Sequence, residues 1–252
     1  MIGLTIEGAV ARVVLERPPV NAINGEWIES LTRVLWEIDT RGGVSVIHIR
    51  SGLKSFCAGA DLKMMRDLLN SSGGRDAMVA EVRNIQDVFA RLENSSAVSV
   101  AEIGGAALGG GLELALACDL RVAAEDASLG LPEASLGLLP GAGGTQRLPR
   151  IAGIAVARRL ILGAEVIDGA EAARLGVVHW AYPGDRLASA TDDLVTRIGG
   201  FPAEALAAAK RCLAAAGDPA GDGFELELGE TRALHDVAET RSRVGAFLAR
   251  QA

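Results

Sequence analysis

Apolar and polar positions alternate or run apolar along residues 2–6 and 10–15, with Glu7-Gly8 between them, which predicts a β-hairpin ended by Pro18-Pro19. Over 25–39 the spacing changes. Trp27, Ile28, Leu31, Val34, Leu35 and Ile38 recur at helical intervals, and Gly42-Gly43 stops the pattern. The β-branched run Val44 to Ile49 predicts a buried strand. A glycine-bearing loop at 57–60 and a polar stretch precede a helix across roughly 76–93. Val98 to Ile103 then reads as a strand, Gly104 to Gly111 as a glycine-rich segment and Leu112 to Ala117 as a short apolar helix. Leu120 to Ala123 and Ser128-Leu129 read as short strands.

The character changes after Pro149. Residues 151–162, 169–174, 187–198, 202–216, 224–235 and 240–250 all carry helical patterns, with one strand-like insert at 177–182. The pattern therefore predicts a strand-rich α/β core over 1–190 followed by a helical region over 191–252. Alternating strands and helices fit many folds and name no activity.

Composition narrows the class. The chain has 252 residues, 49% of them hydrophobic and spread along its length, which is enough to bury a substantial core. The net charge of −7 disfavours binding to a phosphate backbone, so no nucleic-acid partner is expected. No apolar run approaches the ~20 residues of a membrane span, and the start lacks a basic leader, so a cytoplasmic protein is expected. Cys57, Cys118 and Cys212 are scattered without CxxC spacing, and His48, His179 and His235 are equally dispersed. Neither a disulfide framework nor a metal site is predicted, and His48, in a strand-like run, reads as structural.

Three segments carry candidate chemistry: residues 55–62, 106–115 and 131–137. In the second, three glycines stand between a predicted strand and a predicted helix. Glycine lets the backbone approach a ligand closely, and the free amides of a helix start favour developing negative charge. Glu113 falls in that first turn, where an acidic residue also has a purely structural explanation as helix stabiliser. Glu133, after Pro132, has the same structural alternative, and its distance of twenty residues from Glu113 does not itself show convergence. Phosphate binding is the rival reading of the glycines. However, GGGLEL at 109–114 lacks the third glycine of a dinucleotide fingerprint, GAGG at 141–144 lacks a strand before it, and neither has a P-loop lysine.

These residues resemble the crotonase, or enoyl-CoA hydratase/isomerase, family. The resemblance runs through Arg17-Pro18 with Asn21-Ala-Ile-Asn24, FCAGADL at 56–62, ALGGGLELALACDLRVAAEDA at 107–127, PEASLGLLPGAGGTQRLPR at 132–150 and the segment Gly163 to Val178. It implies a spiral of repeated ββα units with C-terminal helices that form a homotrimer, commonly paired into a homohexamer. It implies an acyl-CoA thioester substrate, with coenzyme A as part of that substrate and no separate cofactor. The amides of Ala60 and Gly110 are then the oxyanion hole. Ala58, Gly59, Ala60, Asp61, Leu62 and Lys63, with Gly110, line the coenzyme A and thioester site, and Lys54 and Lys63 are candidates for phosphate contact. Glu113 is expected to activate water at the β-carbon, and Glu133 to deliver a proton at the α-carbon.

The chain departs from the family pattern at Ser96-Ala97 and at Ala101-Glu-Ile-Gly-Gly105, where Glu102 replaces a small residue. It departs again at Thr240 to Arg243, where the usual Glu-Gly before the last helix is absent. An enoyl-CoA hydratase is the first reading, because an isomerase needs only one carboxylate. A Δ3,Δ2-enoyl-CoA isomerase is the second, and a non-catalytic acyl-CoA- or RNA-binding protein the third. Met64, Met65, Leu68 and Leu69 could line an acyl pocket or belong to a helix core.

Overall fold

The computed structural model describes residues 1–217 and 221–250. Strands β1 (Ile2–Glu7) and β2 (Val10–Leu15) form the expected antiparallel hairpin, with Ile2 opposite Leu15. Ala11, Val13 and Leu15 point inward and are fully buried, which is the period-2 pattern read as a half-buried sheet. Helix α1 (Gly25–Arg41) is capped by Asn24, whose side chain accepts the Trp27 N–H at 2.9 Å, and it ends at Gly42 in a left-handed conformation (φ 69°). Its buried stripe contains Trp27, Ile28, Leu31, Val34, Leu35 and Ile38.

The chain then repeats one plan: a strand in a large sheet, a short extended segment in a second layer, and a helix. Strand β3 (Val46–Ser51) lies parallel to β2, and the segment after it makes bridges from Cys57 to Ala107 and from Ala60 to Ile23. Helices α2 (Leu62–Leu69) and α3 (Gly74–Glu93) follow. The next turn is β4 (Val98–Ile103), β5 (Ala107–Leu108) and α4 (Gly110–Leu116). After it come β6 (Leu120–Ala124), β7 (Ser128–Gly130), a 3-10 turn (Pro132–Leu136) and α5 (Gly144–Leu162). The chain continues through β8 (Val166–Asp168), α6 (Gly169–Arg174) and β9 (Trp180–Tyr182). The large sheet has the order β1-β2-β3-β4-β6-β9, all parallel beyond the first hairpin, and the small one the order β5-β7-β8. In the small sheet β5 and β7 are parallel and β8 is antiparallel to β7.

Helix α7 (Gly184–Gly199) packs across β2, β3, β4, β6 and β9, and α8 (Ala203–Ala215) buries Ala207 and Ala208. Helices α9 (Gly223–His235) and α10 (Ala238–Ala249) bury no residue within the chain and expose Phe224, Leu228, Val244, Phe247 and Leu248. Among the described residues no helix is long and apolar enough to cross a membrane.

Two elements differ from the sequence pattern. The polar stretch before α3 contains the two-turn α2, whose apolar positions Met64, Met65, Leu68 and Leu69 recur at helical spacing but are not buried. Met64, Met65 and Leu68 are half-buried there and Leu69 is exposed, so they are not helix core. The helix expected from 151 begins at Gly144, carries Pro149 inside it and breaks at Gly153 (φ 84°). Glu102 also finds its place. It lies with Arg12 and His48 on the sheet face covered by α7, accepting from His48 Nε2 at 2.9 Å. Arg12 Nη1 approaches His48 Nδ1 at 3.1 Å and Asp192 of α7 at 2.6 Å. His48 is buried and structural, as its strand-like context suggests.

Candidate active site

The glycine triplet is where the two layers close on each other. Strand β5 enters Gly109, whose φ of 53° favours glycine, and α4 starts at the next residue. A Cβ on Gly111 would lie 1.9 Å from the Cys57 carbonyl oxygen, and one on Gly110 3.0 Å from Ile23 Cδ1. Only backbone fits this corner. The loop at 57–60 is laced to it: Cys57 N–H donates to Ala106 O and Leu108 N–H to Cys57 O, both at 3.0 Å. The loop is held from behind by Asn21, which is fully buried. Its amide donates to the Phe56 carbonyl at 2.9 Å and the Ser51 hydroxyl at 2.8 Å.

This lacing brings two amides together. A Cβ on Gly59 (φ 95°) would stand 3.4 Å from Gly110 N, and a Cβ on Gly110 would stand 3.9 Å from Ala60 N. Gly110 is the first residue of α4, where an amide has no intrahelical acceptor. The Ala60–Ile23 bridge uses the Gly59 carbonyl and the Asp61 N–H, not the Ala60 N–H. Among the described residues, neither the Ala60 nor the Gly110 amide donates a hydrogen bond. Two unspent donors at one corner can receive a carbonyl oxygen that gains negative charge.

Both glutamates sit at the same corner. Glu133, on the 3-10 turn, packs over Gly109: a Cβ there would lie 3.0 Å from Glu133 Oε1. Its Oε2 is buried without a hydrogen-bond partner. Burial raises its pKa above the ordinary carboxylate range. Glu113, in the first turn of α4, is buried, and its Oε1 accepts the Gly144 N–H at 2.7 Å. Burial pushes its pKa up to about 7. The Gly144 and Ala142 backbone and the Arg147 guanidinium pull the other way, and the Glu133 charge adds to the rise. The pair thus joins one carboxylate whose Oε1 is held by a backbone amide of another element and one whose Oε2 has no partner.

The other predicted contact residues divide. Ala58, Gly59 and Ala60 form the loop at the corner. The Asp61 carboxylate is occupied: it caps α2, accepting from Lys63 N at 3.0 Å and Met64 N at 3.3 Å, and it pairs with Arg17 at 2.7 Å. The Arg17 hydrogen bond holds its pKa below the usual range. Leu62 and Lys63 are exposed on the first turn of α2. Cys57 is no nucleophile, since burial pushes its thiol up to about 12 and it donates to the Asn21 carbonyl. Sequence reasoning missed the loop at 141–144. It was weighed only as a phosphate cradle, and its Gly144 amide instead serves a protein carboxylate.

Comparison with known proteins supplies what geometry alone does not. Residues 5–251 match the enoyl-CoA hydratase/isomerase family. The chain belongs to that family. A Bacillus subtilis relative named probable enoyl-CoA hydratase is 45% identical over 177 residues, spanning 70% of this chain and 67% of the relative. The match to the Arabidopsis thaliana probable enoyl-CoA hydratase 2, mitochondrial, is 43% identical and spans 69% of this chain but only 56% of that protein. The Mycobacterium bovis protein named probable enoyl-CoA hydratase echA8 is 36% identical over 96% of this chain and 93% of its own length. Among solved structures, the enoyl-CoA hydratase from Bacillus anthracis superposes with a TM-score of 0.91 at 30% identity, covering 99% of this chain and 96% of that one. The two-layer spiral described above is therefore a crotonase fold.

Proposed function

We propose that the protein is an enoyl-CoA hydratase that adds water across the 2,3 double bond of an enoyl-CoA thioester. The observation that carries this reading is the pairing of Glu113 and Glu133 beside the unspent amides of Ala60 and Gly110. The thioester oxygen accepts from both amides, so the charge of the enolate develops against two fixed donors; each donor contributes about 10²–10³ in rate. Ionised Glu113 takes a proton from water as its oxygen attacks the β-carbon. Protonated Glu133 gives its proton to the α-carbon as the enolate collapses. Glu113 suits the first task because its charge has an amide donor, and Glu133 the second because its Oε2 has none. The product is a 3-hydroxyacyl-CoA, and the pair has exchanged one proton.

The isomerase reading needs one carboxylate to move a proton between carbons and leaves the second buried carboxylate without a task, so hydration is favoured. Coenzyme A enters as part of the substrate along Ala58–Lys63, and no separate cofactor takes part. The apolar residues exposed on α9 and α10 support a homotrimer, or a homohexamer of two trimers. Crotonyl-CoA tests the reading through loss of its conjugated enoyl-thioester absorbance. Wild type should hydrate it, and Glu113→Gln and Glu133→Gln should each lose about 10²–10⁴-fold in kcat. No hydration by wild type, with the thioester demonstrably bound, would sink it.

A further inference from the structure

The carboxylate of Glu113 is positioned by a loop, and that loop is itself gripped from outside. Residues 141–144 cross between the 3-10 turn and α5, and contribute the Gly144 amide to Glu113 at 2.7 Å. One residue earlier in the loop, Gly143 adopts a left-handed conformation (φ 112°) that is open to glycine. A Cβ on Gly143 would lie 2.1 Å from Arg147 Nη1, so the guanidinium occupies the place a side chain would take there. The same Nη1 donates to the Ala142 carbonyl at 3.0 Å. The Arg147 fork is in turn fixed by Glu93 at the end of α3, which accepts from Nη2 at 2.8 Å and Nε at 3.1 Å. Two turns back along α3, Gln86 donates to the Gly141 carbonyl at 2.6 Å.

We propose that Arg147, clamped by Glu93, is a positioning residue that sets the place and charge of Glu113 through the Ala142–Gly144 backbone. The inference rests on the reading of Glu113 as the base, and it adds a residue that touches no substrate. Two effects run through Arg147. Mechanically, its bond to the Ala142 carbonyl orients the two peptides around Gly143, the second of which carries the amide aimed at Glu113. Electrostatically, a cation held in a fixed fork, with its side chain mostly buried, favours the ionised carboxylate. Lysine has a point charge and no fork, so it supplies the second effect without the first. Gln86 steadies the far end of the loop by a neutral bond and carries no charge to Glu113.

The test pairs a readout of the carboxylate with a readout of the reaction. The Glu113 carboxyl is titrated by carbon-13 NMR in the full-length protein, with Glu113→Gln assigning the signal. The pH profile of kcat/KM on crotonyl-CoA is measured alongside. Both are done for wild type, Arg147→Met, Arg147→Lys and Glu93→Gln. The Arg147→Met midpoint should move to higher pH and the acid limb of the profile should move with it. At neutral pH kcat should fall by between about 10- and 100-fold, with KM little changed. Arg147→Lys should recover part of the midpoint and less of the rate. Glu93→Gln, a half-exposed site that leaves the fold's core untouched, should shift the midpoint the same way by less, and it keeps the test alive if Arg147→Met does not fold. A Glu113 midpoint that stays at its wild-type value in Arg147→Met, or in Glu93→Gln where Arg147→Met does not fold, overturns the proposal, whatever happens to the rate. If wild type hydrates no enoyl-CoA, the proposed reaction falls, while the titration still decides the clamp.

Discussion

Two clusters of ionisable side chains in this molecule are built on opposite terms. On the sheet face under α7, Arg12, His48, Glu102 and Asp192 form a chain in which each charged group meets a complementary partner, from 2.6 to 3.1 Å apart. At the glycine corner, the Glu133 charge raises the proton affinity of Glu113, one carboxylate oxygen has no partner, and two amides are unspent. The first arrangement satisfies its members and holds strands and helix together. The second leaves groups unsatisfied, which costs stability and is sustained where a ligand will complete the set. An unpartnered carboxylate oxygen beside unspent amides therefore marks chemistry better than charge alone does.

The comparison can be broken by substitution, and the largest effect expected is on catalysis. Glu113→Gln and Glu133→Gln should each abolish nearly all hydration while leaving a folded protein, as circular dichroism would check. Glu102→Gln should leave kcat within about twofold of wild type. If Glu102→Gln lost as much activity as the corner glutamates, the division between the two clusters would be wrong. Next comes the corner's packing. Gly111→Ala places a methyl 1.9 Å from the Cys57 carbonyl, a backbone atom that cannot turn away, so a loss of about 4 kcal/mol or more in a denaturant titration is expected.

A smaller effect runs the other way. The pKa of Glu113 is raised from 4.5 to about 7 in the folded chain, so folding is favoured by its neutral form. That contribution is fully present below the unfolded pKa and is lost as pH rises through about 7. Glu113→Gln, which cannot ionise, should be more stable than wild type at pH 8 by up to about 3 kcal/mol, and the advantage should vanish towards pH 4. Thermal melts at the two pH values measure it. Smallest is Glu102→Ala, which leaves His48 with one partner. It should cost about 1–3 kcal/mol without moving the acid limb of the activity profile.

Much of this was legible in the sequence, for physical reasons that differ by region. The α1 stripe and the first hairpin were readable because their apolar periods report burial on one face. The resemblance also supplied both glutamates and the two amides by position. What stayed hidden was contact at a distance. Helix α2 buries nothing, so its apolar spacing did not report core, and Glu102 looked anomalous until the fold set it against His48. The roles of Gln86, Glu93 and Arg147 depend on α3 lying over residues 141–142, which no local pattern encodes.

The most direct test of the two-carboxylate account compares two reactions on one sample of the protein. Water addition to a 2-enoyl-CoA and double-bond migration in the matching 3-enoyl-CoA are measured side by side under the same conditions. The account predicts that hydration is the faster by kcat/KM and that Glu113→Gln removes it. Rapid migration with hydration at background, unaffected by Glu113→Gln, would contradict it.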